Sequence, residues 1–243
     1  MREINVKYGE NSKQFEDSVS VFDVIKSFDR NASKKALAAK VNGEEYDLNR
    51  ELSELTDEVI SVAPIMPDTD DGLELLRHST AHLLAAAILD LYPGTQLGVG
   101  PALMEDPRYG FYYDIIAPEP LSENDLPKIE KRMSQMAKQN LKYRREVVGK
   151  KQILDIFEKR NEPLKSELIE EKVENDATIY YIDDSPFIDF CLGPHVPHTG
   201  KLKAFKLLAI SGAFWKGDSE REQMQRIYGT AFFSQEELDK WIK

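Results

Sequence analysis

The stretch Arg77-His78-Ser79-Thr80-Ala81-His82-Leu83-Leu84 decides how the rest of the chain is interpreted. Its two histidines, His78 and His82, are four residues apart in a run rich in alanine and leucine, which both favour helices. Because residues at positions i and i+4 share one face of a helix, the two imidazoles are expected to point the same way. The sequence therefore predicts a helix that presents a pair of histidines.

A second stretch, Asp189-Phe190-Cys191-Leu192-Gly193-Pro194-His195, carries the only cysteine and a third histidine of a chain that has four histidines. Cys191 and His195 are again four residues apart, but the Gly193-Pro194 pair between them predicts a tight loop instead of a helix. Such rare residues are unexpected together in two short stretches. We therefore predict that the two stretches are the halves of one site.

The combined residue types are compatible with two kinds of chemistry. Three histidines and a cysteine form a ligand set that suits tetrahedral zinc. The same groups suit metal-free proton transfer, because histidine titrates near neutral pH. A single His-x-x-x-His pair is at least as often a structural core feature, and the second stretch is what favours a site. Ser79 stands where the HExxH motif of metalloproteases has its glutamate, which argues against that class.

Length and composition bound the class of protein. A chain of 243 residues, 41% hydrophobic and 31% charged, can form one large or two modest domains with real cores. No apolar run approaches the ~20 residues of a membrane span, and the charged start is unlike a signal peptide. A single cysteine excludes an internal disulfide, so a reducing cytoplasm is the expected location.

The charge distribution is uneven. The net charge of -11 disfavours a general affinity for nucleic acid, but residues 128–151 contain nine bases opposed only by Glu130 and Glu146. Such a basic run could contact a phosphate backbone, although a solvated helix face is the preferred interpretation of a charge run alone. The nine bases are Lys128, Lys131, Arg132, Lys138, Lys142, Arg144, Arg145, Lys150 and Lys151.

Local patterns divide the chain near residues 64–72. Before them, a strand pair, a helix from Ser20, a break at Asn31–Ser33, an Asn42-Gly43 hairpin and a closing strand predict a β-grasp over residues 1–63. Residues 64–72 are rich in proline and aspartate and predict a linker. After them, the histidine helix, an aromatic strand at residues 110–115 and an amphipathic helix at 121–139 predict a larger α+β domain.

The motifs together resemble the threonyl-tRNA synthetase family of bacterial type. Residues 1–63 resemble its small ubiquitin-like β-grasp module, called TGS, and residues 73–225 resemble its α+β editing domain, with a central HxxxH helix packed on antiparallel sheet. The His-x-x-x-His and Cys-x-Gly-Pro-His motifs are shared with alanyl-tRNA editing domains, so the TGS-like start and the ending favour the threonyl family. The stretches that carry this resemblance are residues 77–84, 110–114, 191–197, 212–218 and 226–231.

The resemblance implies hydrolytic editing of seryl-tRNA(Thr), the product of mistaking serine for threonine. His78 and Lys165 are expected to position and activate water, and His82, Cys191 and His195 to complete the catalytic pocket. Asp189 is expected to bind the substrate ammonium, and Gly100 and Tyr113 to line the pocket. Zinc at His78, His82, Cys191 and His195 is possible on ligand chemistry, but the resemblance implies that editing requires no metal.

The resemblance also implies partners. The acceptor end of tRNA(Thr) is the expected ligand, with the basic run and Lys201, Lys203 and Lys206 as candidate contacts, and no membrane is expected. Residues 226–243 are expected to begin a linker to the family's aminoacylation core, which would hold ATP, a core zinc and the homodimer contact. Two alternatives stay open: a zinc-dependent structural module, and a tRNA-binding fragment with an inactive pocket.

Overall fold

The structure is a computed structural model that describes residues 2–243. The chain forms two compact units. One contains the residues up to Leu75 together with Gly193–Pro197, and the other contains Leu76–Leu192 and His198–Lys243. Both units mix helices with sheets, which confirms the predicted α+β class. Within residues 2–243, none of the helices combines the length and the apolar character that crossing a bilayer requires.

The first unit is built on one five-stranded sheet. Its strand order is β2-β1-β5-β3-β4, with β1 parallel to β5 and every other pair antiparallel. This order, with a helix between the second and third strands, is the arrangement predicted as a β-grasp. The strands are β1 (Glu3–Tyr8), β2 (Asn11–Glu16), β3 (Ala38–Val41), β4 (Glu44–Tyr46) and β5 (Val59–Ile65).

Helix α1 (Val21–Phe28) packs on this sheet through an apolar stripe. Ser20 caps its start, because its hydroxyl accepts from the backbone N–H of Asp23 at 3.1 Å. The side chains of Val24 and Ile25 are fully buried in the core of this unit. Burial of an aliphatic side chain contributes about 1.5–3 kcal/mol, so these positions hold α1 in place.

The break predicted at Asn31–Ser33 was wrong. Residues Arg30–Lys35 form a second short helix, α2, because the Asp29 carboxylate accepts from the backbone N–H groups of Asn31 and Ala32 at 2.8 and 2.9 Å. Asp29 therefore ends α1 and caps α2. An acidic cap satisfies two of the N–H groups that a helix start leaves without partners, and this outweighs the weak helix propensity of asparagine and serine.

The predicted histidine helix is α3 (Asp70–Leu91), of which residues 76–91 lie in the second unit. The Thr69 hydroxyl accepts from the backbone N–H of Gly72 at 3.0 Å and so stabilises its first turn. Its middle is fully buried from Leu83 to Ile88, as expected for a helix that is apolar on all sides. It packs on an antiparallel strand, because the Tyr143 hydroxyl donates to the carbonyl of Ser79 at 2.6 Å.

Two antiparallel sheets complete the second unit. Their orders are β10-β9-β8 and β11-β12-β7-β6. The strands are β6 (Gln96–Leu97), β7 (Phe111–Ile116), β8 (Tyr143–Gly149), β9 (Asp176–Ile182), β10 (Ile188–Phe190), β11 (Ala204–Phe214) and β12 (Gln223–Phe232). The helices are α4 (Leu126–Lys138), α5 (Lys150–Lys159), α6 (Pro163–Lys172) and α7 (Gln235–Ile242).

Three of the predicted domain limits fall inside regular elements: residues 63 and 225 lie in strands, and residue 73 lies in a helix. Strand β5 ends at Ile65, beyond residue 63, and α3 begins at Asp70, before residue 73. Strand β12 pairs with β11 on both sides of residue 225 and with β7 from Gln225 to Gly229, so residues 226–232 continue the sheet of the second unit. The assignment of these units to TGS and editing domains stays a prediction.

Candidate active site

The first histidine of helix α3, His78, contacts Cys191. The Nε2 atom of His78 lies 3.2 Å from the Sγ atom of Cys191, and its Nδ1 atom lies 3.2 Å from the carbonyl oxygen of Gly100. A carbonyl oxygen can only accept, so the Nδ1 atom carries the proton in this hydrogen bond. The neutral ring therefore presents the lone pair of Nε2 toward Cys191.

The protonation state of His78 follows from its surroundings. Its pKa is lowered from the ordinary value mainly because burial disfavours the charged ring, against opposing effects of the Gly100 hydrogen bond and the Asp189 charge. The ring is therefore a neutral proton acceptor at pH 7. Both His78 and Cys191 are half-buried, so this end of the site reaches solvent.

The site also contains a buried polar group, which consists of Lys165, Asp189 and Tyr113. The Lys165 ammonium forms an ion pair with Oδ1 of Asp189, and the Tyr113 hydroxyl donates to Oδ2 of the same carboxylate. Each of the three residues is at most 2% exposed. Burial raises the pKa of Tyr113 well above its usual range, with the Asp189 charge as the second cause, so the phenol stays protonated and donates.

Three separate elements of the second unit bring these groups together. Asp189 lies on β10 opposite Tyr180 of β9, Tyr113 lies on β7, and Lys165 lies in the first turn of α6. A buried ammonium is costly unless it is paired, and Asp189 supplies that pairing. The three side chains come from distant parts of the sequence, so their contact depends on the complete second unit.

His82 connects the two groups. Its ring centroid lies 4.5 Å from that of His78, and its Nε2 atom lies 3.6 Å from Oδ2 of Asp189. The side chain is 2% exposed. The i, i+4 spacing therefore places both imidazoles on one helix face, as predicted, with His78 toward Cys191 and His82 toward Asp189.

Gly100 lines the site by a close approach to Tyr113. A Cβ atom at position 100 would lie 2.1 Å from Cδ2 of Tyr113 and 2.4 Å from its Cε2. Any larger residue would therefore displace a fully buried ring. Its carbonyl also accepts from His78, so the glycine combines close packing with control of the histidine tautomer.

His195, the third histidine of the motifs, is 1% exposed. Its backbone N–H donates to Oδ1 of Asp47 at 2.9 Å. Residues 191–197 form neither helix nor strand, which confirms the predicted loop. Within the second unit, one ligand atom from each of His78, His82 and Cys191 lies within 4.8 Å of the others, a donor set compatible with zinc.

Two buried neighbours were not predicted. The Phe187 ring lies 5.1 Å from the His82 ring, and Phe187 directly precedes β10, so its place beside Asp189 in the sequence is the only local signal for it. Glu162 is 2% exposed and precedes Lys165 by three residues. Burial raises its pKa, against the opposing ion pair with Arg160 at 2.9 Å. No sequence pattern marks a buried glutamate of this kind.

Several bases of the predicted basic run are already paired. Arg132 contacts Asp90 at 2.7 Å, Arg144 contacts Asp183 at 3.1 Å and Lys150 contacts Glu170 at 3.0 Å. The candidate Lys206 likewise contacts Glu130 at 3.0 Å. These pairs reduce the positive charge of the run, so it does not act as one uniform basic surface. The carboxylates that pair with Arg132, Arg144 and Lys150 lie outside the basic run.

Part of the second unit is similar to a known protein family. Residues 177–228 match the model of the family described as threonyl and alanyl tRNA synthetase second additional domain. The matched segment contains all but the first residue of β9, together with β10, Asp189 and Cys191. The match therefore covers the part of the chain that supplies the second of the two motifs.

Curated relatives extend the similarity to almost the whole chain. The threonine–tRNA ligase of Anoxybacillus flavithermus is 42% identical over 231 residues, which is 95% of this chain and 34% of that protein. Those of an Exiguobacterium species and of Streptococcus thermophilus are 43% and 42% identical over 95% and 99% of this chain. The chain spans about a third of the length of these relatives, 34–36%. The resemblance predicted from the motifs is confirmed.

Proposed function

We propose that this chain hydrolyses mischarged seryl-tRNA(Thr). Two findings support the proposal: residues 177–228 match the second additional domain of threonyl and alanyl tRNA synthetases, and nearly the whole chain is related to threonine–tRNA ligases. The observation that carries the proposal is the His78 ring, with Nδ1 bonded to the Gly100 carbonyl and Nε2 facing Cys191. That arrangement supplies a neutral base of fixed tautomer at a half-buried position.

The reaction is hydrolysis of an aminoacyl ester. The oxygen of a water molecule attacks the ester carbonyl carbon, and His78 Nε2 accepts the proton that water loses. The bond between that carbon and the ribose oxygen then breaks, the ribose oxygen takes the proton back, and serine and uncharged tRNA leave. A base of this kind contributes roughly 10²–10⁴ in rate.

The buried polar group supplies the charges around the ester. The Lys165 ammonium is held by Asp189, and positive charge near a developing oxyanion stabilises the transition state. Both oxygens of Asp189 already have partners in Lys165 and Tyr113. A substrate ammonium that reaches Asp189 therefore shares this carboxylate with Lys165, and we propose that this exchange places Lys165 at the ester.

Serine and threonine differ by one methyl group, which binding alone distinguishes by only ~1–3 kcal/mol. A second pocket that excludes the larger residue solves this problem. We propose that the rigid wall formed by Gly100 and Tyr113 provides the exclusion, because the ring and the glycine are already in closest packing. The pocket would then accept the seryl ester and reject the threonyl ester.

Zinc is the second candidate, favoured by the two histidines and the cysteine that come together in the second unit, His78, His82 and Cys191. Tetrahedral zinc with ligands at ~2.0–2.3 Å holds them roughly 3.5 Å apart, and the 3.2 Å between His78 and Cys191 is close to that value. His78, His82 and Cys191 of the second unit would hold the ion, which would supply Lewis-acid chemistry or structural support. We propose that hydrolysis does not require it.

The test is a deacylation assay with seryl-tRNA(Thr) and threonyl-tRNA(Thr) as parallel substrates. The proposal expects release of serine at least about tenfold faster than release of threonine, as one excluded methyl group allows. Equal rates for both esters would contradict the sieve, and binding of tRNA without release of serine would support the alternative of an inactive pocket.

A further inference from the structure

A buried glutamate, Glu162, lies on the same helix turn as Lys165. Glu162 is 2% exposed and immediately precedes the first residue of α6. Its backbone is fixed, because its N–H donates to the Phe157 carbonyl at 3.0 Å and its carbonyl accepts from the N–H of Ser166 at 3.2 Å. The connection between α5 and α6 therefore sets the position of this carboxyl group relative to Lys165.

The two oxygens of the Glu162 carboxylate differ in their contacts. Oε1 accepts from Nε of Arg160 at 2.9 Å, whereas Oε2 is buried and accepts a hydrogen bond from none of residues 2–243. The side chain does not cap α6, whose first residue, Pro163, has no N–H to donate. A buried carboxylate oxygen without a donor is unfavourable, so the structure of the helix start does not explain this residue.

The charges that act on Glu162 belong to the site. Burial raises the pKa of Glu162, the Arg160 contact and then the Lys165 charge lower it, and the Asp189 charge raises it again. Burial and then Asp189 are the main causes of the raised pKa of Tyr113, and the Glu162 charge adds to them. The ion pair of Lys165 is with Asp189. Glu162 is therefore a second carboxylate within electrostatic range of that ammonium.

Binding of a substrate would change the charge balance of the buried polar group. Without substrate, the Lys165 ammonium and the Asp189 carboxylate neutralise each other. A seryl ammonium at Asp189 adds one positive charge, so that two ammonium groups share one carboxylate, which is unfavourable in a buried site. The Oε2 atom of Glu162 is an acceptor that can restore the balance, because the flexible stem of a lysine lets its ammonium move between neighbouring carboxylates.

We propose that Glu162 is a positioning residue, whose carboxylate becomes the counter-ion of Lys165 when the substrate ammonium binds Asp189. This inference rests on the proposed function, because it completes the exchange at Asp189 that the hydrolysis requires. Glu162 touches neither the ester nor the attacking water. It keeps Lys165 charged and within the site, where the ammonium stabilises the developing oxyanion.

The test compares single-turnover deacylation by the unmodified chain and by Glu162→Gln on two esters of tRNA(Thr), at mildly alkaline pH. One is the seryl ester, and the other is the glyceric acid ester, in which a hydroxyl replaces the amino group of serine. On the seryl ester the variant should be slower by about tenfold, less than the ~10²–10³ that loss of a direct stabiliser causes. On the glyceric acid ester, which brings no ammonium to Asp189, the variant should keep its rate within about twofold.

Arg160→Gln is the matched control. It removes the same ion pair, together with the hydrogen bond from Arg160 to the Pro186 carbonyl, but keeps the Glu162 carboxylate. Denaturant unfolding should show that Arg160→Gln is at least as destabilised as Glu162→Gln, because it leaves a buried carboxylate without its partner. Its rate on the seryl ester should nevertheless stay within about twofold of the unmodified chain.

The ratio of the two ester rates is measured on one preparation, so it does not depend on the fraction of each variant that is folded. Equal effects of Glu162→Gln on both esters would overturn the inference and leave the proposed function standing, as would an equal loss in Arg160→Gln. If the unmodified chain hydrolysed neither ester, the proposed function would be contradicted, and this inference with it.

Discussion

The Nε2 atom of His78 lies 3.2 Å from the Sγ atom of Cys191, across 113 residues of sequence. The Gly100 carbonyl accepts from the other ring nitrogen and fixes the tautomer that makes this contact. His82 contacts Asp189, and the buried Asp189 carboxylate also contacts Lys165 and Tyr113. The proposed hydrolysis depends on this arrangement.

Substitution of Gly100 by alanine should damage the site. The added Cβ atom would lie 2.1 Å from a ring atom of Tyr113, which is fully buried and hydrogen-bonded to Asp189. Overpacking of this kind costs about 1–3 kcal/mol of unfolding free energy, and we expect deacylation to fall at least tenfold. Gly212→Ala is the matched control, because no atom lies within 4 Å of its added Cβ. An active, stable Gly100→Ala variant would show that the wall is not rigid.

The sheet β11-β12-β7-β6 should depend on an ion pair between a buried carboxylate and a partly exposed arginine. Arg226 donates to both oxygens of Asp114, at 2.7 and 2.8 Å, from the directly opposite position on the neighbouring strand. Arg226→Gln leaves the Asp114 carboxylate buried without its charge partner, and we expect a loss of about 3 kcal/mol in denaturant unfolding. The double variant Asp114→Asn/Arg226→Gln should recover part of that loss. Additive losses in this cycle would mean that the pair is not coupled.

The cluster that ties α6 to the turn after β11 predicts a pH dependence. Contacts with Arg221 and then Lys216 lower the pKa of Glu167 from 4.5 to about 2. A carboxylate whose pKa is depressed by folding stabilises the fold above its unfolded pKa, and that stability is lost as pH falls from 4.5 toward 2. We discount the gain to about 1 kcal/mol because the group is partly exposed.

The measurement is the difference in unfolding free energy between the unmodified chain and Glu167→Gln. It should be present at pH 7 and decline steadily below pH 4.5. Glu170→Gln is a useful comparison on the same helix, since Glu170 contacts Lys150 instead of this cluster. A difference that stays constant down to the most acidic conditions would show that Glu167 does not contribute through its charge.

Removal of zinc should leave hydrolysis intact. The proton acceptor that the reaction needs is a histidine whose tautomer the Gly100 carbonyl fixes. We therefore expect deacylation rates with and without a strong chelator to agree within about twofold, whatever the zinc content found by mass spectrometry. Stoichiometric zinc together with unfolding on chelation would instead establish the structural-module alternative.

Local patterns were enough to predict much of this protein. The alanine- and leucine-rich run around His78 and His82 determines a helix, and Asn42-Gly43 determines a hairpin, because both depend on neighbouring residues alone. Helix α2 was missed because one carboxylate, Asp29, caps it against the propensity of its own residues.

What the sequence could not show depends on long-range contacts. No short pattern indicates that Glu162 is buried. None indicates that Arg132 pairs with Asp90, which is distant in the sequence. The carboxylate of Asp189 was expected to receive a substrate ammonium, whereas Lys165 and Tyr113 already occupy it. Resemblance to a family indicates which residues form a site, but only the fold shows which of them form ion pairs or hydrogen bonds with each other.

The most direct test of the central claim is single-turnover deacylation of seryl-tRNA(Thr) by the unmodified chain and by His78→Ala. Loss of the base should slow serine release by roughly 10²–10⁴ while the affinity for tRNA stays within about twofold, because His78 acts on water and not on the RNA backbone. Ser61→Ala, in the first unit, is the control and should keep the full rate. Undiminished serine release by the His78→Ala variant would contradict the account.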